Sequence, residues 1–242
     1  MRILITGASK GIGRAIAARL ATKGNSLGVC GTKASAELAS IASDCEAKGA
    51  KVVQLTGDLV DASVPARLVS EAAAALGGLD AVISNAGVVA PGRIAELDLA
   101  DWERIFAINT RSAFLLSKAA YPHLKASKGA LVAVASMSGV EPYPGTGAYS
   151  PAKAALIMLV RVLAQEWAAD GIRVNAISPG LVKTAMTAPI YADADKTRAR
   201  EALVPMHRIA DPERDMAGIA AFLVSPDAGY ITGQNILADG GL

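Results

Sequence analysis

The segment GAYSPAKAAL, residues 147–156, places a phenol and an ammonium group four residues apart, at Tyr149 and Lys153. Residues at i and i+4 lie on one face of an α-helix, so the two side chains are expected to be neighbours. A free tyrosine has a pKa of about 10, and a positive charge beside it favours the phenolate and lowers that pKa. The pair therefore predicts a group that donates and accepts a proton near neutral pH.

Pro151 lies between these two residues, within a stretch whose apolar spacing is helical. The first four N–H groups of a helix have no acceptor inside it, so a proline in the first turn costs little. We therefore predict a helix that begins near Gly147 and ends at about Asp170.

A glycine-rich turn, TGASKGIG at 6–13, follows the first apolar run of the chain and opens a helical stretch. Gly7 permits a sharp exit from a strand, and Gly11 and Gly13 remove side chains where a backbone approaches a pyrophosphate and where helix packs on strand. The N-terminus of the following helix presents free N–H groups and its positive dipole end to a phosphate. The spacing differs from the commonest dinucleotide fingerprint, but its place after the first strand favours a dinucleotide site over a plain glycine-rich turn.

The residues after the second apolar run bear on which dinucleotide binds. A carboxylate about 20 residues past the glycines would bond the ribose 2′-hydroxyl and select NAD. This chain has CGTKAS at 30–35, with no Asp or Glu before Glu37. Lys10, Lys33 and Thr32 are expected to hold a 2′-phosphate. We predict NADP(H) as the preferred cofactor and NAD(H) as the alternative, in which both lysines are solvated surface charges.

Apolar runs that read as strands alternate along the chain with longer stretches of helical period. The strands are predicted at 2–6, 26–30, 51–58, 80–87, 129–136, 172–178 and 234–241, and a long helix at 98–126. Strands that are apolar on both faces and alternate with helices predict a parallel sheet covered on both sides. We predict an α/β fold: one doubly wound Rossmann domain over 1–242, with about seven strands and a substrate lid at about 183–210.

Bulk composition limits the class of protein. The 242 residues are 52% hydrophobic and 4% aromatic, which indicates either a buried subunit interface or simply an Ala-rich protein. A net charge of +2 argues against nucleic-acid binding. The first strand begins near Arg2 and no apolar run approaches the roughly 20 residues of a membrane span, so a soluble cytoplasmic protein without a membrane partner is expected. His123 and His207 have no ligand spacing with other residues, so no metal is expected.

The chain resembles the short-chain dehydrogenase/reductase family along its whole length. The resemblance is carried, in order, by TGASKGIG (6–13), GDLVD (57–61), SNAG (84–87), Asn109, Ser136, YSPAK (149–153), SPGLVKT (178–184) and YITGQNILADGG (230–241). Within the family the chain is most similar to 3-oxoacyl-carrier-protein reductases and related carbonyl reductases. Ser84 is a departure, because the family often has asparagine there.

The resemblance implies a role for each matching residue. Ser136, Tyr149, Lys153 and Asn109 match the catalytic set, in which Ser136 bonds the substrate oxygen and Asn109 holds a water that links Lys153 to solvent. Together with the glycine turn and the cations named above, the expected cofactor-binding set is Gly7, Ser9, Lys10, Gly11, Ile12, Gly13, Thr32, Lys33, Asp58, Leu59, Asn85, Ala86, Gly87, Tyr149, Lys153, Pro179, Gly180, Val182 and Thr184.

The family also suggests the substrate and the assembly. We expect an NADP(H)-dependent oxidoreductase that interconverts a ketone and a secondary alcohol, with a 3-oxoacyl thioester as one substrate class. The alternatives are an NAD-dependent dehydrogenase of a sugar, polyol or steroid alcohol, and a nucleotide-binding regulator without catalysis. A homotetramer is the family norm, with Phe106, Phe114 and Leu115 at a dimer seam. Substrate contacts are expected from residues of the lid and from Met137, Ser138, Glu141, Tyr143 and Met186. Three cations of the lid either contact an anionic substrate or form a solvated helix face: Lys196, Arg198 and Arg200.

Overall fold

The computed structural model describes residues 1–185 and 187–242. Seven strands form one parallel sheet in the order β3-β2-β1-β4-β5-β6-β7. The strands are β1 (Arg2–Ile5), β2 (Ser26–Gly31), β3 (Lys51–Thr56), β4 (Ala81–Ser84), β5 (Ala130–Val134), β6 (Arg173–Pro179) and β7 (Asn235–Ala238). The predicted doubly wound fold with seven strands is confirmed.

Helices connect the strands and cover the sheet. They are α1 (Gly11–Leu20), α2 (Ala36–Ala47), α3 (Val64–Leu76), α4 (Leu99–Phe106), α5 (Ser112–Ser127), α6 (Tyr149–Trp167), α7 (Ala188–Tyr191), α8 (Ala194–Leu203) and α9 (Ala217–Val224). Within the described residues, no helix combines the length and the apolar character that crossing a membrane requires.

The core lies in two layers, one on each face of the sheet. Side chains alternate along β1, so Ile3 and Ile5 pack with α1, α2 and α9, whereas Leu4 packs with α3, α5 and α6 on the other face. All three side chains are completely buried. This two-sided burial is why β1 is an uninterrupted apolar run rather than an alternating one.

The strand order reverses between β1 and β4, which carry crossovers on opposite sides of the sheet. In open α/β sheets the ligand crevice lies outside the carboxyl ends of the strands at such a reversal. The glycine turn leaves β1 and the SNAG motif leaves β4 at this place. The fold thus brings two of the sequence motifs to the edges of one crevice.

Two stretches differ from the sequence prediction. The helix predicted at 98–126 is divided by a π-helical turn, Ala107–Arg111, between α4 and α5. The segment 183–210, predicted to be irregular, contains α7 and α8, and Asp193 caps α8 by accepting hydrogen bonds from the N–H groups of Asp195 and Lys196. Pro151 lies in the first turn of α6, as predicted.

Candidate active site

A cleft of about 420 Å³ opens at the carboxyl ends of the strands. Most of the residues predicted from the sequence line it: Gly7, Ser9, Lys10, Gly11, Ile12, Thr32, Asp58, Leu59, Asn85, Ala86, Gly87, Ser136, Tyr149, Lys153, Pro179, Gly180, Val182 and Thr184. These residues lie at the ends of six different strands, β1 to β6, or in the loops and helices that follow them. The parallel sheet therefore gathers into one crevice side chains that are far apart in sequence.

Three predicted residues are not part of the cleft lining. Gly13 lies in the first turn of α1, packed against the Gly7 carbonyl oxygen, and Lys33 is exposed on the loop after β2. Asn109 is almost completely buried beneath the lining. Among the expected substrate contacts, Met137 is buried, whereas Glu141 and Tyr143 are exposed. Met186 lies outside the described residues.

The glycine turn forms one wall of the cleft. Helix α1 begins at Gly11, and within the described chain no side chain caps its first N–H groups. Gly11 has a φ of +55°, and a Cβ atom at this position would lie 3.4 Å from the Thr184 Cβ atom. The turn and Thr184 therefore face each other closely across the cleft. Uncapped N–H groups at a helix N-terminus, reached through a glycine surface, fit the pyrophosphate of a dinucleotide.

Gly13 has a structural role at this wall. A Cβ atom there would lie 2.3 Å from the Gly7 carbonyl oxygen and 2.4 Å from Asn85 Nδ2. Asn85 Nδ2 donates to the Thr6 carbonyl oxygen at 2.9 Å, and Thr6 Oγ1 accepts from the N–H groups of Asn85 and Ala86 at 3.0 and 3.1 Å. Because Gly13 has no side chain, the Gly7 carbonyl group and the Asn85 side chain can pack against its backbone. The hydrogen bonds of Thr6 and Asn85 can then join the glycine turn to the loop after β4.

Three of the predicted catalytic side chains meet on the other side of the cleft. Ser136 follows β5, and its Oγ accepts a hydrogen bond from the Ser138 N–H at 3.1 Å. Tyr149 is the first residue of α6, and Lys153 follows one turn later. Lys153 Nζ lies 5.7 Å from the centroid of the Tyr149 ring and donates to the Val134 carbonyl oxygen at 2.8 Å. The i, i+4 spacing therefore makes the neighbours that the sequence predicts.

Gly139 permits this convergence, because it lies against α6 beside Lys153. A Cβ atom at Gly139 would come within 2.7 Å of the Lys153 carbonyl carbon and 2.9 Å of the Ala154 nitrogen. The turn that carries Ser136 can pack on the helix backbone only without a side chain there. The approach of Ser136 to the tyrosine and lysine thus depends on a glycine three residues further along.

The electrostatics of the pair differ from the sequence expectation. Burial raises the pKa of Tyr149, and the Ser136 hydroxyl offsets only part of this increase. Burial also lowers the pKa of Lys153 to about 7. Both groups are shifted towards their neutral forms, because each loses hydration on entering the protein. The sequence predicts a lowered pKa for Tyr149, whereas in the structure burial raises that pKa.

Asn109 lies in the π-helical turn, and its side chain is engaged with backbone groups. Nδ2 donates to the carbonyl oxygens of Val88 at 2.9 Å and Ile105 at 3.0 Å, and Oδ1 accepts from the Val88 N–H at 3.3 Å. A Cβ atom at Gly87 would lie 2.8 Å from Asn109 Oδ1 and 3.3 Å from Lys153 Nζ, so the two side chains flank this glycine. The Asn109 side-chain amide therefore holds the loop after β4.

Sequence reasoning missed several residues that line the cleft, among them Thr6, Cys30, Gly31, Gly57, Val88, Arg104, Ile108, Val134, Ala135 and Thr187. Many of these residues lie at the carboxyl end of a strand. Because ligands of doubly wound folds bind at those ends, that position in the sequence could have predicted them. Arg104 and Ile108 are one helical turn apart at the junction of α4 and the π-helical turn. Their place in the cleft depends on how that helix crosses the sheet, which local patterns do not encode.

Comparisons with known proteins agree with this geometry. A family model described as enoyl-(acyl carrier protein) reductase matches residues 7–242. Meso-2,3-butanediol dehydrogenase of Serratia marcescens is 36% identical over 99% of this chain and 93% of its own. A tropinone reductase homologue of Arabidopsis thaliana is 36% identical over 100% of this chain and 92% of its own.

Solved structures give the same result. A short-chain dehydrogenase of Burkholderia cenocepacia in complex with NADP has a TM-score of 0.92 and 31% identity, covering 99% of this chain and 96% of that one. The chain belongs to the short-chain dehydrogenase/reductase family. It is an NAD(P)-dependent oxidoreductase that acts on a small molecule with a nicotinamide dinucleotide cofactor.

Proposed function

We propose that this protein interconverts a ketone and a secondary alcohol with NADP(H). The observation that carries the proposal is the convergence of Ser136, Tyr149 and Lys153 on the cleft that the glycine turn also lines. A bound nicotinamide dinucleotide supplies the hydride for reduction or accepts it for oxidation. The protein must then provide a proton donor and a group that stabilises charge on the substrate oxygen.

Tyr149 is the proposed proton donor. Its phenol stays protonated at neutral pH because burial raises its pKa, and a protonated phenol is the form that ketone reduction needs. The Ser136 hydroxyl donates a hydrogen bond to the substrate oxygen as charge develops there. Lys153 would hold the nicotinamide ribose and return a proton to the Tyr149 phenolate, itself regaining one from solvent, and Asn109 fixes the loop after β4 beside Lys153.

The preference for NADP(H) is supported by the position of Lys10. Lys10 and Thr32 line the cleft where the loops after β1 and β2 meet, and no carboxylate follows β2 before Glu37. An ammonium group here attracts a ribose 2′-phosphate. The relative in complex with NADP is consistent with this choice.

Two substrate classes are candidates for the proposed reaction. A 3-oxoacyl thioester is one candidate, and the description of the matching family model favours an acyl carrier substrate. The butanediol dehydrogenase among the relatives favours the oxidation of a small diol or polyol as the second candidate. In the lid segment, Lys196 pairs with Asp193, and Arg198 with Asp195, on the surface of α8. These pairs favour the solvated helix face over a site for an anionic acyl carrier.

We also propose that the segment 183–210 covers the bound substrate. Thr184 and Thr187 at its start line the cleft. Its end is held by a bidentate pair between Arg208 and Asp215, with N–O distances of 2.7 and 2.8 Å, and by the Lys183 N–H bond to the Ala210 carbonyl oxygen at 2.9 Å. The segment is thus fixed at both ends beside the cleft.

A homotetramer is the proposed assembly. Phe114 on α5 and Met158 and Val162 on α6 are 44%, 55% and 44% exposed, a degree of exposure that a partner subunit would reduce. Of the other seam residues expected from the sequence, Phe106 packs on Trp102 at a ring distance of 4.8 Å and Leu115 is half-buried. Sedimentation of the purified protein tests the assembly, and a monomer at micromolar concentration would contradict it.

The activity is tested by following nicotinamide absorbance with NADPH and NADH against a ketone panel, and with NADP⁺ and NAD⁺ against an alcohol panel. The panels include a 3-oxoacyl thioester, a small hydroxyketone and the matching diol. We expect turnover of a ketone with a higher kcat/KM for NADPH than for NADH. A higher value with NADH would overturn the cofactor preference, and bound cofactor without any turnover would favour a regulator.

A further inference from the structure

An ion pair crosses the edge of the cleft where the dinucleotide's adenosine end is proposed to lie. Lys10 Nζ in the glycine turn is 2.8 Å from Glu37 Oε1 in the first turn of α2. Ser35 caps that helix through the Leu38 N–H, so the start of α2 is fixed in front of the glycine turn. The cation that the sequence assigns to a 2′-phosphate therefore already has a carboxylate partner.

The neighbouring arginine does not take part in this pair. Arg14 Nη2 is hydrogen-bonded to Ser40 Oγ at 3.2 Å and also binds Asp44, and Nη1 donates to the Glu37 carbonyl oxygen at 3.3 Å. Arg14 thus joins α1 to α2 through the Glu37 carbonyl oxygen and the side chains of Ser40 and Asp44. The Glu37 carboxylate faces Lys10, and Lys10 lines the cleft.

The pair is open to exchange because both partners are exposed. The side chains of Lys10 and Glu37 are 58% and 46% accessible. Solvent-exposed ion pairs contribute little to stability, so an arriving dianion can displace the carboxylate at small cost. A phosphate beside Glu37 nevertheless meets a like charge, and it must compete for the one ammonium group that the two anions share.

We propose that Glu37 is a specificity-determining residue that reduces the preference for NADP(H) by competing with the ribose 2′-phosphate for Lys10. The inference rests on the cofactor site proposed above. NAD(H) has a ribose 2′-hydroxyl group in place of the phosphate and does not need the Lys10 ammonium group. The affinity for NAD(H) is therefore independent of the competition between Glu37 and the phosphate. In this proposal Lys10 binds the 2′-phosphate, and Glu37 weakens that binding.

The test compares wild-type protein with Glu37→Gln, Lys10→Met and the double variant, using NADPH and NADH as probes. Dissociation constants are measured by the change in nicotinamide fluorescence on binding. We expect Glu37→Gln to tighten NADPH binding about threefold to fivefold, the scale of one exposed ion pair, and to change NADH binding less than twofold. Glu46→Gln on the same helix removes an equal charge and serves as the control, for which we expect no change.

Three outcomes would overturn the inference. NADPH binding that is unchanged or weaker in Glu37→Gln contradicts competition, and weaker NADH binding alone would make Glu37 an acceptor for the ribose hydroxyl instead. An equal effect of Glu37→Gln in the Lys10→Met background would show repulsion without competition for Lys10. A wild-type preference for NADH overturns the proposed cofactor but not this inference, which concerns the direction of the change between variants.

Discussion

Lys153 Nζ lies 5.7 Å from the centroid of the Tyr149 ring and donates its hydrogen bond away from the phenol, to the Val134 carbonyl oxygen at 2.8 Å. The two side chains are neighbours on one helix face, yet burial shifts both towards their neutral forms. The Tyr149 phenol is thus held in its protonated form, which is the form that the proposed reduction of a ketone uses.

The direction of the pH dependence follows from the raised pKa of Tyr149. Reduction needs the protonated phenol, so its kcat is expected to fall as the pH rises through the pKa of Tyr149. Oxidation needs the phenolate, so its kcat is expected to increase over the same range. Rates measured in both directions from pH 7 to 11.5, a range that extends past the ordinary tyrosine value of 10.0, check this, and parallel profiles for the two directions would contradict it.

Lys153 gives the stability of the cofactor-free protein a defined pH dependence. Its folded pKa of about 7 is below the ordinary value of 10.5, so between these values the unfolded chain binds a proton that the folded chain does not. The free energy of unfolding therefore gains a contribution that rises from pH 7 to 10.5. We expect Lys153→Met to remove this rise, as measured by urea unfolding at several pH values.

The control for this measurement is Lys118→Met, which removes an exposed lysine of α5. Its unfolding free energy should keep the wild-type dependence on pH. A slope that Lys153→Met leaves unchanged would show that the ammonium group is hydrated in the folded protein.

Gly13→Ala tests the packing behind the glycine turn. The new methyl group would lie 2.3 Å from the Gly7 carbonyl oxygen, so the turn or Asn85 must move. We expect a loss of about 1–3 kcal/mol in the free energy of unfolding and weaker cofactor binding. Thermal unfolding and NADPH titration measure the two effects.

Gly218→Ala is the matched control, because a Cβ atom there meets nothing within 4 Å and the residue lies in α9. Alanine in a helix interior is favoured over glycine by about 1 kcal/mol, so this variant should be as stable as the wild type or more so. Equal losses in the two variants would contradict the packing argument.

The fold and most of the site were accessible from sequence because each depends on local patterns. The apolar run at β1 and the turn after it predict a strand, a phosphate-binding turn and a helix in adjacent residues. The Tyr149–Lys153 contact follows from helical period alone. In any doubly wound sheet the carboxyl ends of the strands meet at one crevice. Eighteen of the predicted site residues line that crevice, and the fold class alone was enough to bring them together.

The remaining features depend on contacts between distant segments. Asn109 bonds Val88 through a π-helical turn, and the extra residue in that turn has no periodic signal. The Lys10–Glu37 pair joins the glycine turn to the first turn of α2, and their separation is set by the packing of α2 on the sheet. The sign of the pKa shifts depends on burial, and the spacing of charges in sequence does not report burial.

The most direct test of the central claim is the rate of ketone reduction by Tyr149→Phe, measured with NADPH binding on the same samples. The proton donor is removed while the ring and the cleft remain, so kcat should fall about 10²–10⁴-fold with little change in the NADPH dissociation constant. Tyr230→Phe, which alters a fully exposed phenol, should retain the wild-type rate. A near-normal kcat for Tyr149→Phe would contradict the assignment of Tyr149 as the proton donor.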